Sequence, residues 1–121
     1  MLRMVTMTFA FVLSLSVAAS AIDFTEVLKD LDGKPIKHES GELTLGEAAT
    51  IALLAPYQDE QAKGDTKAKR FLLAIKVRQA TDVKLTAEEV KEIKDVVAKA
   101  FAPLVVGRVW EIIDPAAMEK K

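Results

Sequence analysis

Thr44-Leu45-Gly46-Glu47-Ala48-Ala49-Thr50-Ile51-Ala52-Leu53-Leu54-Ala55-Pro56 is the stretch on which the fold turns. Thr44 followed three residues later by Glu47 is a capping box: the hydroxyl can accept the third amide of a helix while the carboxylate reaches back to the amide of Thr44 itself. From Leu45 to Ala55 the run is apolar on most sides, so the spacing predicts a central, buried helix. Ala48, Ala49, Ala52 and Ala55 would let neighbouring elements approach closely. Pro56 stops the helix, because it lacks an amide proton and clashes with the preceding turn.

Downstream, Tyr57 to Asp65 reads as a polar connection with a break at Gly64. A second helix is expected over 66–79, with Ala68, Phe71, Leu72 and Ile75 as its apolar stripe. Lys67, Lys69, Arg70, Lys76 and Arg78 lie mainly off that stripe. Asp82 to Leu85 reads as a short extended link. Thr86-Ala87-Glu88-Glu89 is a second capping box and opens the clearest helix, with Val90, Ile93, Val97, Ala100 and Phe101 on one face. Lys91–Asp95 and Asp95–Lys99 are opposite charges four apart, worth only about 0.2–0.5 kcal/mol each. Pro103 suits the first turn of a new helix, expected over 103–113 and stopped before Pro115. Its β-branched run also allows a strand. Residues 115–121 form a tail expected to fray.

Upstream, Leu31-Asp32-Gly33-Lys34-Pro35-Ile36 predicts a hairpin with Asp-Gly as a two-residue type I′ turn, since both positions would accept positive φ. Pro35 cannot donate to a ladder, which places the second strand at an edge. Phe24, Val27, Leu28 and Leu31 also have helical spacing, which leaves room for a helical turn before the hairpin. Glu39-Ser40-Gly41 reads as a loop. The expected fold is therefore α+β and mainly helical: an N-terminal β-hairpin packed on a bundle of about four short helices, one domain over residues 22–114.

Residues 1–21 stand apart. Arg3 precedes an apolar run from Met4 to Val17, and Ala19-Ser20-Ala21 closes it ahead of Asp23. This is the pattern of a cleaved secretory signal peptide. The apolar core is about 14 residues, short of the ~20 that a spanning helix needs, so an uncleaved anchor fits less well. Met4 and Met7 also allow a start placed too far upstream. Export to the periplasm or medium is the expectation, with a cytoplasmic chain as the alternative if the start is misplaced. Membrane contact would come only through this leader, if it were retained.

The remaining chain of about 100 residues is long enough to bury one core without staples. There is no cysteine among the 121 residues, which excludes disulfides and thiolate sites. Half of the chain is apolar and 29% is charged, a globular balance. Aromatics at 6% and a net charge of −1 do not favour broad nucleic-acid binding. The charge is uneven: residues 22–47 are acidic and residues 63–84 basic. These parts could attract one another within a chain, set head-to-tail contacts between copies, or simply be solvated faces.

Reactive chemistry is sparse. His38 is the single histidine; beside Glu39 it could be half of an acid–base pair or one metal ligand, but a solvated loop residue is the expectation. Asp30-Leu31-Asp32-Gly33 lacks the later ligands of a calcium loop and reads as a turn. No glycine-rich phosphate loop is present. We therefore expect no catalytic residue, no cofactor and no metal. The basic helix at 66–79 followed by a capped helix admits a helix-turn-helix reading, with Lys67 and Arg70 as contact residues. Glu88 and Glu89 would, however, face phosphates at the start of the second helix. Trp110 beside Arg108 could anchor a partner surface, since both types are enriched in binding hot spots, or could pack at the core boundary.

The segments Leu31-Asp32-Gly33-Lys34-Pro35-Ile36, Leu43-Thr44-Leu45-Gly46, Leu85-Thr86-Ala87-Glu88-Glu89 and Pro103-Leu104-Val105-Val106-Gly107, taken in order, resemble a group of short proteins encoded by tailed bacteriophages and prophages. The resemblance covers residues 23–113. It implies a small non-enzymatic accessory or assembly protein, chaperone-like in working by contact with other proteins or with itself. It supplies no catalytic residues to map. Proteins of this group look cytoplasmic and start near the equivalent of Ile22, so the leader is a departure from their pattern. The alternative function is a small regulator that contacts nucleic acid through the basic helix.

Overall fold

The structure, a computed structural model, describes residues 21–119 except Ser40, Asp59 and Ala62. The expected leader therefore lies outside the described residues, apart from Ala21. The described chain is α+β and mainly helical. Strands β1 (Lys37–His38) and β2 (Gly41–Glu42) precede helices α1 (Leu45–Leu54), α2 (Gly64–Val77), α3 (Ala87–Ala100) and α4 (Pro103–Ile113), and a 3-10 turn at Pro115–Met118 follows. No helix among the described residues is long and apolar enough to cross a membrane.

The hairpin is wider than its Asp-Gly dipeptide suggests. Gly33 N–H donates to Asp30 O at 3.1 Å, and Asp30 N–H donates to Lys34 O at 2.8 Å. The Asp30 carboxylate accepts the amides of Asp32 and Lys34 at 2.9 and 3.0 Å. Only Gly33 has a positive φ, +83°; Asp32 does not. This is a three-residue loop, a type I turn closed by a left-handed glycine, and not the expected type I′ turn. The Asp30 side chain decides the outcome by holding the turn from inside. Phe24 to Leu31 form no helix: Glu26 N–H donates to Asp23 O at 3.3 Å in a single turn, Val27 bridges Thr44, Lys29 bridges Pro35, and Leu31 sits in the turn at the tip, 86% exposed.

Behind the tip, three segments close a ring of backbone hydrogen bonds. Leu28 donates to Leu43, Leu43 to Ile36, and Ile36 back to Leu28, at 2.8–2.9 Å. β1 and β2 extend this pairing with Lys37 opposite Glu42 and His38 opposite Gly41. β1 and β2 thus make a second, antiparallel hairpin, and Gly41, expected in a loop, opens β2 at φ +120°.

The N-terminal arm caps α1. The first amides of a helix have no partner within it. Leu45 N–H donates to Glu26 O and Gly46 N–H to Phe24 O, at 2.8 and 2.7 Å. Glu47 N–H donates to the Thr44 hydroxyl at 3.1 Å, the bond that the Thr44–Glu47 spacing predicted. α1 is central, as expected: α2, α3 and α4 all pack on it. Ala48, Ala49 and Ala52 are fully buried, and their small side chains bring the neighbouring helices close. Phe24, Leu28, Leu43, Leu45, Val77, Ile93, Val96, Val97 and Val109 are sealed in the core with them.

The capping box at Thr86 is complete, with both reciprocal bonds formed. α4 begins at Pro103 as expected and buries Val105, Val109 and Ile113, one per turn. The strand alternative for 104–113 is set aside. α2 starts at Gly64, two residues earlier than expected, so Gly64 opens the helix where a break was predicted, and it ends at Val77, not Gln79. The first part of the expected frayed tail, Pro115–Met118, forms the exposed 3-10 turn.

Candidate interaction surface

α2 carries two faces, and the fold uses the one that the sequence reading assigned to solvent. Arg70, Leu73, Ala74 and Val77 are buried against the rest of the domain. The expected core stripe points outward: Phe71, Leu72 and Ile75 are 54%, 62% and 61% exposed, and Ala68 is exposed beside them. At about 100° per residue these four fall on one side of the helix, opposite Leu73 and Val77.

Arg70 explains the choice of face. Its guanidinium makes a bidentate pair with Glu60, two bonds of 2.8 Å, and its Nε donates to Glu92 of α3. An arginine this buried needs partners for its donors, and two carboxylates supply them. The Arg70 hydrogen bond, joined by Lys99 at 3.1 Å, holds the Glu60 carboxyl down to about 2. Tyr57 lies under both cations, with Arg70 6.0 Å and Lys99 5.3 Å from its ring centre, and its hydroxyl donates to Ala52 O at 2.6 Å. Burial raises the Tyr57 phenol. Arg70, expected to touch a partner, is therefore an internal tie between α2, α3 and the α1–α2 connection. Neither Glu60 nor Tyr57 was singled out from the sequence, because a tie spanning two helices and a loop leaves no local spacing.

The other expected contact residues divide. Lys67 is exposed, as are Lys69 and Arg78, and no ion pair among the described residues engages them. Lys76 is held by Glu89 at 2.8 Å. Burial pushes the Glu89 carboxyl up, but Lys76 and the Thr86 amide outweigh it, and the net direction is down. The basic helix thus finds its carboxylates on α3 and at Glu60, and among the described residues none of its ion pairs runs to the acidic N-terminal part.

Arg108 is engaged within the domain. Its Nε donates to Lys29 O at 2.7 Å and its Nη2 to Asp30 O at 2.9 Å, while Nη1 pairs with Glu111. It staples the hairpin to α4. Trp110 is half-buried at the domain boundary. The Lys94 ammonium lies 4.4 Å from its ring centre, fixed there by Asp114 at 2.6 Å. This is the packing alternative for Trp110, with a cation over the ring.

His38 is on β1, half-buried, and not a solvated loop residue. Its Nδ1 lies 3.8 Å from a Glu47 carboxylate oxygen, beyond hydrogen-bond range. No group of three or more His, Asp or Glu among the described residues is arranged to hold a metal ion.

A groove of about 680 Å³ runs beside the exposed stripe. Lys69, Leu72, Leu73 and Lys76 of α2 form one wall, and Glu88 and Glu92 are on the other. It exists because α2 and α3 each pack on α1 but barely on one another. Lys76–Glu89 and Arg70–Glu92 cross it, so its walls are largely neutralised. Leu72 belongs to both the groove and the stripe, which joins them into one surface.

Comparison of the chain with protein-family models, with curated proteins and with solved structures returns no match.

Proposed function

We propose that this chain is a non-enzymatic protein-interaction module, an accessory or assembly factor of the phage type that its ordered motifs resemble. One observation carries the reading: Phe71, Leu72 and Ile75 stand in solvent on one face of α2, next to a groove. Scattered exposed apolar residues are ordinary, but a contiguous stripe of large ones marks a contact surface. The opposite face of α2 already supplies the core, so these side chains are not needed for folding.

The nucleic-acid alternative has less to work with. Arg70 is buried and Lys76 is paired, and the outward centre of the helix is apolar. Phosphate contacts would be left to Lys67, Lys69 and Arg78, which flank an apolar centre that a phosphate backbone cannot use. Export through the leader remains part of the proposal and is independent of this surface.

The test compares the wild-type chain with a Phe71→Ser/Ile75→Ser double variant. Both should show the same helical circular dichroism and urea midpoint. A hydrophobic dye should bind the wild type and lose most of its signal on the variant. An unfolded variant, or equal dye binding by both, would remove the reading.

A further inference from the structure

We infer that the α2 surface receives an amphipathic helix whose apolar ridge is flanked by carboxylates; this rests on the reading of that surface as a contact site. Ala68, Phe71, Leu72 and Ile75 stand at i, i+3, i+4 and i+7, the spacing with which one helix reads another. The flanks supply the charge. Lys67 and Arg78 lie along one side of the stripe, and Lys69 and Lys76 along the other. Lys67, Lys69 and Arg78 are exposed and engaged in no ion pair among the described residues. The chain as a whole carries −1, so attraction of an acidic segment is a property of this face and not of the net charge.

The same features disfavour the other occupants. A second copy joined through α2 would set Lys67, Lys69 and Arg78 against their own counterparts. The stripe also offers on the order of a few hundred Å² per copy, below the roughly 600 Å² or more per partner of a stable interface. An anionic bilayer, being broad and flat, would leave the concave groove unfilled. A helical segment seats Leu72 and the groove together while its carboxylates reach Lys67 and Lys69.

The experiment titrates the full chain with two helical peptides of about 14 residues, each with leucine at i, i+3, i+4 and i+7. One carries glutamate on both flanks, the other lysine. The glutamate peptide should bind at least tenfold more tightly. That preference should shrink as salt is raised and should be reduced severalfold by Lys67→Gln/Lys69→Gln. Binding should be lost in Ile75→Asp. Equal binding of both peptides, abolished by Ile75→Asp, would overturn the acidic partner while leaving the contact surface standing. Binding of neither peptide would overturn the inference. Peptide binding insensitive to Ile75→Asp would overturn the inference and the surface together. A concentration-dependent dimer lost in Ile75→Asp, seen by sedimentation, would assign the face to a second copy. Tighter binding to phosphatidylglycerol vesicles than to the glutamate peptide would assign it to a membrane; either result overturns the proposal.

Discussion

Gly46 lies directly against the carbonyl of Arg78: a Cβ on Gly46 would sit 2.1 Å from that oxygen and 2.9 Å from the carbonyl oxygen of Phe24. All the atoms it would meet are backbone, so no side chain can swing aside. The first turn of α1, the end of α2 and the N-terminal arm meet at this point, and glycine is what lets them meet.

Gly46→Ala should therefore be among the most damaging small substitutions in the chain. The expected loss is about 3 kcal/mol, the upper range for forced overpacking. Urea denaturation would read it as a lowered midpoint. Gly107→Ala, at a glycine with nothing near its missing Cβ, is the control and should stabilise α4 by a few tenths to about 1 kcal/mol.

Arg70→Met keeps much of the side-chain volume but deprives Glu60 and Glu92 of a shared cation. The cost should be about 2 kcal/mol, moderated because both carboxylates retain some access to water. Lys67→Met, three residues earlier and exposed, should change stability by less than about 0.5 kcal/mol. If the two variants unfold at the same urea concentration, Arg70 is not the tie described above.

Acid should loosen the same junction. The Glu60 carboxyl is held at about 2 in the fold, by Arg70 first and then Lys99, against 4.5 for a free glutamate. A carboxyl depressed on folding stabilises the native state fully above its unfolded value and loses that contribution as pH falls towards its folded value. Glu89 shifts in the same direction. The urea midpoint should thus decline between about pH 4.5 and pH 2. Glu60→Gln should flatten the decline and lower the plateau above it.

Arg108→Ala should release the hairpin without unfolding the bundle. Two hydrogen bonds from its guanidinium to backbone carbonyls are lost, an expected cost of about 1 kcal/mol. Amide exchange would show where the loss falls. The Gly33 and Lys34 amides, which close the turn, should exchange faster, whereas those of Ile93 and Val97 should keep nearly all of their protection.

Much of this architecture was legible in the residues. Thr44, Thr86 and Pro103 announce their helices, because caps are local chemistry and act within three or four positions. The face of α2 was not legible. Phe71, Leu72 and Ile75 look more like core than Leu73, Ala74 and Val77, and an arginine on the buried side argues against burial. The outcome depends on Glu60 and Glu92, one in a connection and one on another helix, which no periodicity brings together. The exposed apolar stripe was misread by the same step, since residues counted as core could not be counted as surface. The turn at Gly33 failed for a smaller reason. An Asp-Gly pair suits several turns, and Asp30, just before it, selects among them.

The staple between Arg108 and the carbonyls of Lys29 and Asp30 joins positions almost eighty apart. During synthesis the hairpin leaves the ribosome well before the residue that locks it has been made. A nascent chain halted before α4 should therefore hold a loosely tethered N-terminal arm, which locks only once α4 has been made and has docked. A stop codon shortly before position 108 would then do harm at the opposite end of the molecule from where it falls.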